Sequence, residues 1–422
     1  MIYSILRWFY LVFLRFFEFI LISIYKIKIF LFSFTSIQKK IQSQLEILHL
    51  HALSQSYDSV INLNQIHFKK LDEDVPKPEL KNLEILAQPS QWMNSLAQEA
   101  RTLYKMKFGR ILFMHGTFVG HDPISFDAAI KHFIPNLSPN LYNSFQLLVK
   151  SQCNALLGDN GNFLPQYAQL FAGAADWGNY VDNFHWSSAN HHAARLEAAL
   201  DLANHLARQT SPTSRQKGIL LVGHSHAGQT FALLTRLMAE VQKTETPLLL
   251  ECAKNSYLSK KLDTEAILSL HKMILQFVTL GTPPRYRWFL NDNIHLCSVI
   301  NHRGSLPKAG TLSGFLNTRD GDYVQQWGIS GSDFLAVSHK ERKLNSALNQ
   351  ILDEGQNVAT WKKNSKFRKR VPDQGKTLLV DFGDASATLV PNCVLTVFGH
   401  GSYTRISNML PLIRLITQNI EI

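Results

Sequence analysis

Between Leu220 and Gln229 the chain reads LLVGHSHAGQ, an apolar run ending in a serine set between two histidines and bordered by small residues. A serine hydroxyl is a weak nucleophile unless a histidine takes its proton and a carboxylate orients that histidine. Gly223, Ser225 and Gly228 lie at the end of the apolar run and before a helix-forming stretch. That context predicts a tight strand-to-helix turn, which lifts Ser225 above a sheet and aims the following amide, that of His226, at developing negative charge. Ala227 stands where the G-x-S-x-G pattern has its second glycine, and its single methyl group is small enough for the turn.

A second oxyanion donor is expected from RILFMHGTFVG, where His115, Gly116, Thr117 and Phe118 follow another apolar run about 110 residues upstream of the serine. The backbone N–H of Thr117 or Phe118, with that of His226, is read as the oxyanion hole, each such donor being worth about 3–4 kcal/mol. For the base, CVLTVFGHGSYTR sets His400 between glycines at the end of an apolar run. For the acid, LNTRDGDYVQQ offers Asp320 and Asp322; Asp322 is preferred because an apolar pair, Tyr323 and Val324, directly follows it. His302 and His339 compete for the base role, but neither lies at a strand's end after the acid, so both are read as surface or hydrogen-bonded side chains. His185, His191 and His192, with His224 and His226, raise a zinc reading. Adjacent His191 and His192 point in different directions on a helix, and no metal is expected.

These residues need a scaffold. From Gly109 onward, short apolar runs ending in turns alternate with helical segments, the pattern of an α/β protein with a mostly parallel sheet and helices on both faces. The expected strands are RILFMHGT, DNFHWSS, GILLVGHS, MILQFVTLGT, GTLSGFLN and VLTVFGHG, and a helix is expected from near His226 to about Val241. Residues 242–272 and 335–376 read as insertions of the kind that cap a site. Ser187 to Asn190 offer N-cap residues for a helix carrying Arg195, and TLGTPP reads as a strand-end turn stiffened by Pro283 and Pro284. Residues 36–108 read as a helical connector broken around Pro76 and Pro78, leaving 109–422 as the main domain.

Together, HGTF, FHWSSANHHAARLEAALDLANHL, LLVGHSHAGQ, FVTLGTPP and GHGSYTR resemble the lipase-like branch of the α/β-hydrolase superfamily over roughly residues 109–405. The resemblance implies an α/β-hydrolase sheet and a serine hydrolase cleaving carboxylic esters, without metal or organic cofactor. Its triad falls on Ser225, Asp320 or Asp322, and His400. An acyltransferase, thioesterase or amidase uses the same groups, and an idle hydrolase-like scaffold on a membrane is the rival of another class.

The balance of 43 basic against 32 acidic residues gives a formal charge of +11, which favours an anionic partner. The densest basic run, WKKNSKFRKR, is read as a solvated loop, and its aromatics do not interleave as in nucleic-acid-binding modules, so no nucleic acid is expected. Four widely separated cysteines make no metal knuckle or disulfide framework. The N-terminal WFYLVFLRFFEFILISIY is apolar but interrupted by Arg15 and Glu18, which fall with Arg7 and Lys26 on about a third of a helix circumference. Such a helix suits the lipid interface, or a membrane span whose charged stripe meets protein, and it lacks the small-residue cleavage site of a secretory signal. Residues 1–35 are therefore expected to bind a membrane surface and to bring the enzyme to lipid-like esters. Sedimentation with anionic vesicles tests this: the intact chain should pellet and a chain lacking residues 1–35 should stay in the supernatant, whereas equal pelleting contradicts the assignment.

Overall fold

The computed structural model describes residues 66–70, 80–81, 84–85, 89–117, 119–122, 138–175, 180–209, 218–302, 321–328, 333, 336, 338–352, 371–382 and 397–420. Seven strands form its main sheet: β1 (Ile66–Lys70), β2 (Phe108–Met114), β3 (Val181–Phe184), β4 (Gly218–His224), β5 (Leu275–Leu280), β6 (Ile294–Asn301) and β7 (Lys376–Asp381). Their order is β1-β7-β6-β5-β4-β2-β3, and every pairing is parallel. The protein is α/β, as its alternating apolar runs require.

Parallel strands covered on both faces lose the apolar-polar alternation of a half-solvated sheet. GILLVGH and LQFVTL are accordingly buried at every position. Successive side chains still point to opposite faces. Ile219 and Leu221 enter one core with α4 (His192–Gln209) and α5 (His226–Val241). Leu220 and Val222 enter the other core with α1 (Ser90–Lys105), α3 (Pro165–Ala175) and α10 (Met409–Asn419). Along the chain, α2 (Pro139–Leu157) follows β2, while α6 (Leu248–Lys254), α7 (Thr264–Leu270), α8 (Tyr323–Gly328) and α9 (His339–Ile351) follow β4 or β6.

The chain passes from β2 out to β3 at the sheet edge and then returns to lay β4 on the other side of β2. From there it steps outward through β5, β6 and β7. This reversal opens a crevice at the carboxyl ends of β2 and β4, where open parallel sheets bind their ligands. HGTF follows β2 and Ser225 follows β4, so both oxyanion and nucleophile candidates border that crevice.

Several expectations are corrected. β1 lies within the supposed helical connector, where IHFKK pairs along β7 as an edge strand. IHLCSVIN (β6) and KTLLVD (β7) are central strands that the sequence reading did not pick out, the latter concealed behind the basic run of a supposed insertion. GTLSGFLN lies outside the described residues, as do the first three residues of VLTVFGHG, whose remaining residues form a turn with Val397, Phe398 and Gly399 all at positive φ. Residues 242–272 are not a cap: Leu249, Ala253, Leu258, Ile267 and Leu270 are fully buried in the core shared by α4 and α5. In the second supposed insertion, Leu344 and Leu348 of α9 join the same core. Segment 1–35, Asp320, Phe118 and the basic run 361–370 lie outside the described residues. No helix among the described residues is long and apolar enough to cross a membrane.

β4 sits at the centre of both cores, so truncating it should be costly. Leu221→Ala removes a side chain with no solvent exposure and should lower unfolding free energy by about 2–5 kcal/mol in denaturant titrations. A loss below about 1 kcal/mol would contradict this packing.

Candidate functional site

Ser225 joins β4 directly to α5, with φ 56° and ψ −126°. A non-glycine residue in that region carries about 1–3 kcal/mol of strain, so its surroundings must hold it there. They do so through the backbone: the Ser225 N–H donates to Leu280 O at 2.8 Å, while its carbonyl accepts from Thr282 Oγ1 at 2.6 Å and from Gly228 N–H at 3.1 Å. TLGTPP thereby acts as the brace of the serine turn. The turn after β2 presses against it, since a Cβ on Gly116 would come within 2.8 Å of Ser225 Cβ and of His224 Nδ1. The His226 amide opens α5, where helix geometry supplies it with no carbonyl partner.

Asp322 lies beyond the end of β6, its N–H donating to Asn301 O at 3.1 Å. Gly321 permits the approach: its φ is 83°, and a Cβ there would meet Asn301 O at 2.1 Å. The Asp322 carboxylate is fully buried and accepts from three sides, from His400 Nδ1 at 2.7 Å, Tyr403 Oη at 2.9 Å and the Gln325 N–H at 2.8 Å. Facing a carboxylate, His400 Nδ1 is the donor, which leaves Nε2 with the lone pair needed to accept a proton. Tyr403 also accepts from the Asn301 N–H at 2.7 Å, and Asn301 Nδ2 donates to Gly399 O at 2.9 Å. The end of β6 thus holds Asp322 and also anchors the turn that bears His400.

His224 links these two halves. Its Nε2–H donates to the His400 carbonyl at 2.9 Å, and the two rings lie 4.4 Å apart between centroids. Burial, with the nearby His400, holds the His224 imidazole at about 3, so it is neutral and keeps a fixed tautomer. The residue before Ser225 therefore positions the loop of His400, a role no sequence pattern disclosed.

The HGTF side is held equally closely. Thr117 Oγ1 meets His226 Nδ1 at 2.5 Å, a side-chain bond between the two expected oxyanion segments. FHWSSAN frames the same loop: Trp186 Nε1 donates to His115 O at 2.9 Å, Gly120 N–H to Ser188 Oγ at 2.7 Å and Asp122 N–H to Ser187 O at 3.1 Å. Ser187 to Asn190 do not cap α4 as expected. That helix begins at His192, and its first amides donate instead to Asn345 Oδ1 and His191 Nδ1 because the serines are turned toward HGTF.

The other histidines have structural partners. His192 and Arg195 of α4 join Tyr286, Arg285 and Asp333 in a buried network, in which Asp333 accepts from Arg195 Nη2 at 2.7 Å and from both Arg285 Nη atoms. The two guanidiniums hold the Asp333 carboxyl well below its usual range against the opposing effect of burial. His339 is exposed at the start of α9, and the His302 N–H donates to Val380 O at 2.9 Å. Among the described residues no group of three His, Cys, Asp or Glu side chains is arranged to hold a metal. No protein-family model matches the chain, and no curated protein or solved structure does so either.

Burial keeps His115, His191, His192, His224 and His226 below the ordinary imidazole value of 6.5, His191 and His224 to about 3. The unfolded chain then binds protons that the folded one refuses. The stability these neutral rings contribute is complete above pH ~6.5 and is lost as pH falls toward the folded values, by about 1.4 kcal/mol per pH unit for each fully shifted ring. Denaturant unfolding between pH 8 and about 5 should show a stability loss beginning near pH ~6.5, with uptake of more than one proton. A flat profile down to pH ~5 would contradict neutral burial.

Proposed function

We propose that this protein is a serine hydrolase of the lipase-like α/β-hydrolase type, cleaving carboxylic esters through an acyl-enzyme on Ser225. The observation that carries the reading is the strained Ser225 turn between β4 and α5, tied through His224 to a His400 whose Nδ1 faces the buried Asp322 carboxylate. The strand reversal that sets HGTF beside the serine supports it further.

In this mechanism His400 Nε2 takes the Ser225 hydroxyl proton as Oγ attacks the acyl carbonyl. The negative oxygen of the tetrahedral intermediate lies toward the His226 amide and the Thr117–Phe118 amides. The intermediate collapses as His400 returns the proton to the leaving alcohol oxygen, leaving the acyl group on Ser225. Water then attacks the acyl carbonyl while His400 takes its proton, and the acid departs as the hydroxyl re-forms. Asp322 stays ionised throughout and stabilises the imidazolium. Residues 1–35, as a membrane-associating helix, give such an enzyme access to lipid-like esters.

A fluorophosphonate probe, which reacts only with an activated serine, tests the proposal. The parent chain should be labelled and Ser225→Ala should not be, while Asp322→Asn should lower ester turnover by about 10³–10⁴-fold by losing the oriented tautomer. An unlabelled parent chain, or labelling that persists in Ser225→Ala, refutes the assignment.

A further inference from the structure

Beside the HGTF loop lies a set of basic side chains that the ester mechanism does not use. Lys150, on α2, reaches the loop and donates from Nζ to Val119 O at 2.5 Å and to Asn162 Oδ1 at 3.1 Å. Both acceptors are neutral, and among the described residues no carboxylate pairs with this ammonium. An ammonium has three donors, so one is unspent. Burial lowers Lys150 to about 8, which leaves it charged at neutral pH.

Two neutral imidazoles lie beside it. His115 spends Nδ1 on the Gly116 carbonyl at 3.0 Å, and its Nε2, in a residue only 1% exposed, has no hydrogen-bond partner. The exposed His185 ring lies 5.6 Å from that of His115 and continues the cluster to the surface. Of the charges acting on the two rings, that of Lys150 has the largest effect on each, and it favours their neutral forms. Asp182, the acid that His185 feels, is half exposed and faces His205 at 3.9 Å. Arg195 and Arg285, by contrast, already share Asp333. Among the described residues Lys150 is thus a cation without an anion, partly removed from water and bonded to the loop that follows β2.

We propose that Lys150 binds an anionic oxygen group of the substrate, so that the preferred ester carries a carboxylate or phosphate near the scissile bond. This rests on the reading of Ser225 as the nucleophile for its place in the reaction, but not for the binding itself. A ligand oxygen takes the third Nζ donor and supplies the missing counter-charge, a charge-assisted contact favoured where water is partly excluded. The two neutral bonds fix the ammonium against the Val119 carbonyl, so its position is set before substrate arrives.

Binding is tested in Ser225→Ala protein by thermal unfolding with inorganic phosphate or glutarate against chloride at matched ionic strength. At least one anion should raise the midpoint in a concentration-dependent way. Lys150→Met should abolish the rise and Lys150→Arg should keep part of it, each midpoint being compared with the same variant in chloride. A rise with phosphate alone assigns a phosphate-bearing ester, and one with glutarate alone a carboxylate-bearing ester. In the active enzyme, the ratio of kcat/KM for mono-p-nitrophenyl glutarate over p-nitrophenyl valerate should fall about tenfold or more in Lys150→Met, the loss of one charge-assisted bond. Taking the ratio cancels any general loss from loosening the Val119 carbonyl. No midpoint rise with either anion, a rise that survives Lys150→Met, or, where glutarate raises the midpoint, an unchanged ratio overturns the proposal. If anions stabilise through Lys150 while the probe fails to label Ser225, the anion site stands and the hydrolase reading falls.

Discussion

A single buried hydrogen bond, from His224 Nε2–H to the carbonyl of His400, joins segments 176 positions apart in sequence. With the Asn301 side-chain amide on Gly399 O, it holds the turn of His400, whose backbone has three successive positive φ values. The donor is the last residue of the central strand, and its ring is neutral and enclosed. A protonated imidazole there would be a buried charge without a carboxylate of its own, since Asp322 is occupied by His400, Tyr403 and Gln325. Neutrality at His224 is therefore a condition of the architecture.

The same economy of polar groups governs the rest of the rim. Buried donors and acceptors must find partners, and here they find them across elements distant in sequence. Thr282 braces the Ser225 carbonyl, Ser188 and Trp186 brace the loop after β2, and Tyr403 serves both Asn301 and Asp322. The network of Arg195, Arg285, Asp333, His192 and Tyr286 fixes the start of α4 beneath this rim. Each bond is modest alone, about 0.5–1.5 kcal/mol net, but an unsatisfied partner costs more, so the set behaves as one unit.

How much of this was legible in the sequence varied with the range of the interaction. The runs at 108–114, 218–224 and 275–280 announced themselves because parallel strands buried on both faces must be continuously apolar. GHSHAG marked its own turn, since small residues after such a run and before good helix formers allow few geometries. β6 and β7 were missed although both are apolar: IHLCSVIN opens on a polar loop, and KTLLVD follows a basic stretch that drew attention to solvent. β1 was missed because an edge strand needs only a few residues and its identity comes from β7, over 300 residues later. The order of serine, acid and histidine could be read along the chain. The His224 clamp, the Thr117–His226 bond and the isolated Lys150 ammonium could not, because each depends on where a loop returns and no local pattern records that.

The segment after His400 is seated on the loop that follows α2. Thr404 accepts from the Asn162 N–H and donates to Asp159 O, Arg405 reaches Asn160 Oδ1, and the Ile406 N–H donates to Asp159 Oδ2. α10 then docks on α1, with Arg414 and Thr417 on Glu99. During synthesis on the ribosome Ser225 emerges long before His400, and that imidazole has no seat until this closing stretch has docked. The rim of the sheet is therefore assembled only when the last hundred or so residues have folded back onto it.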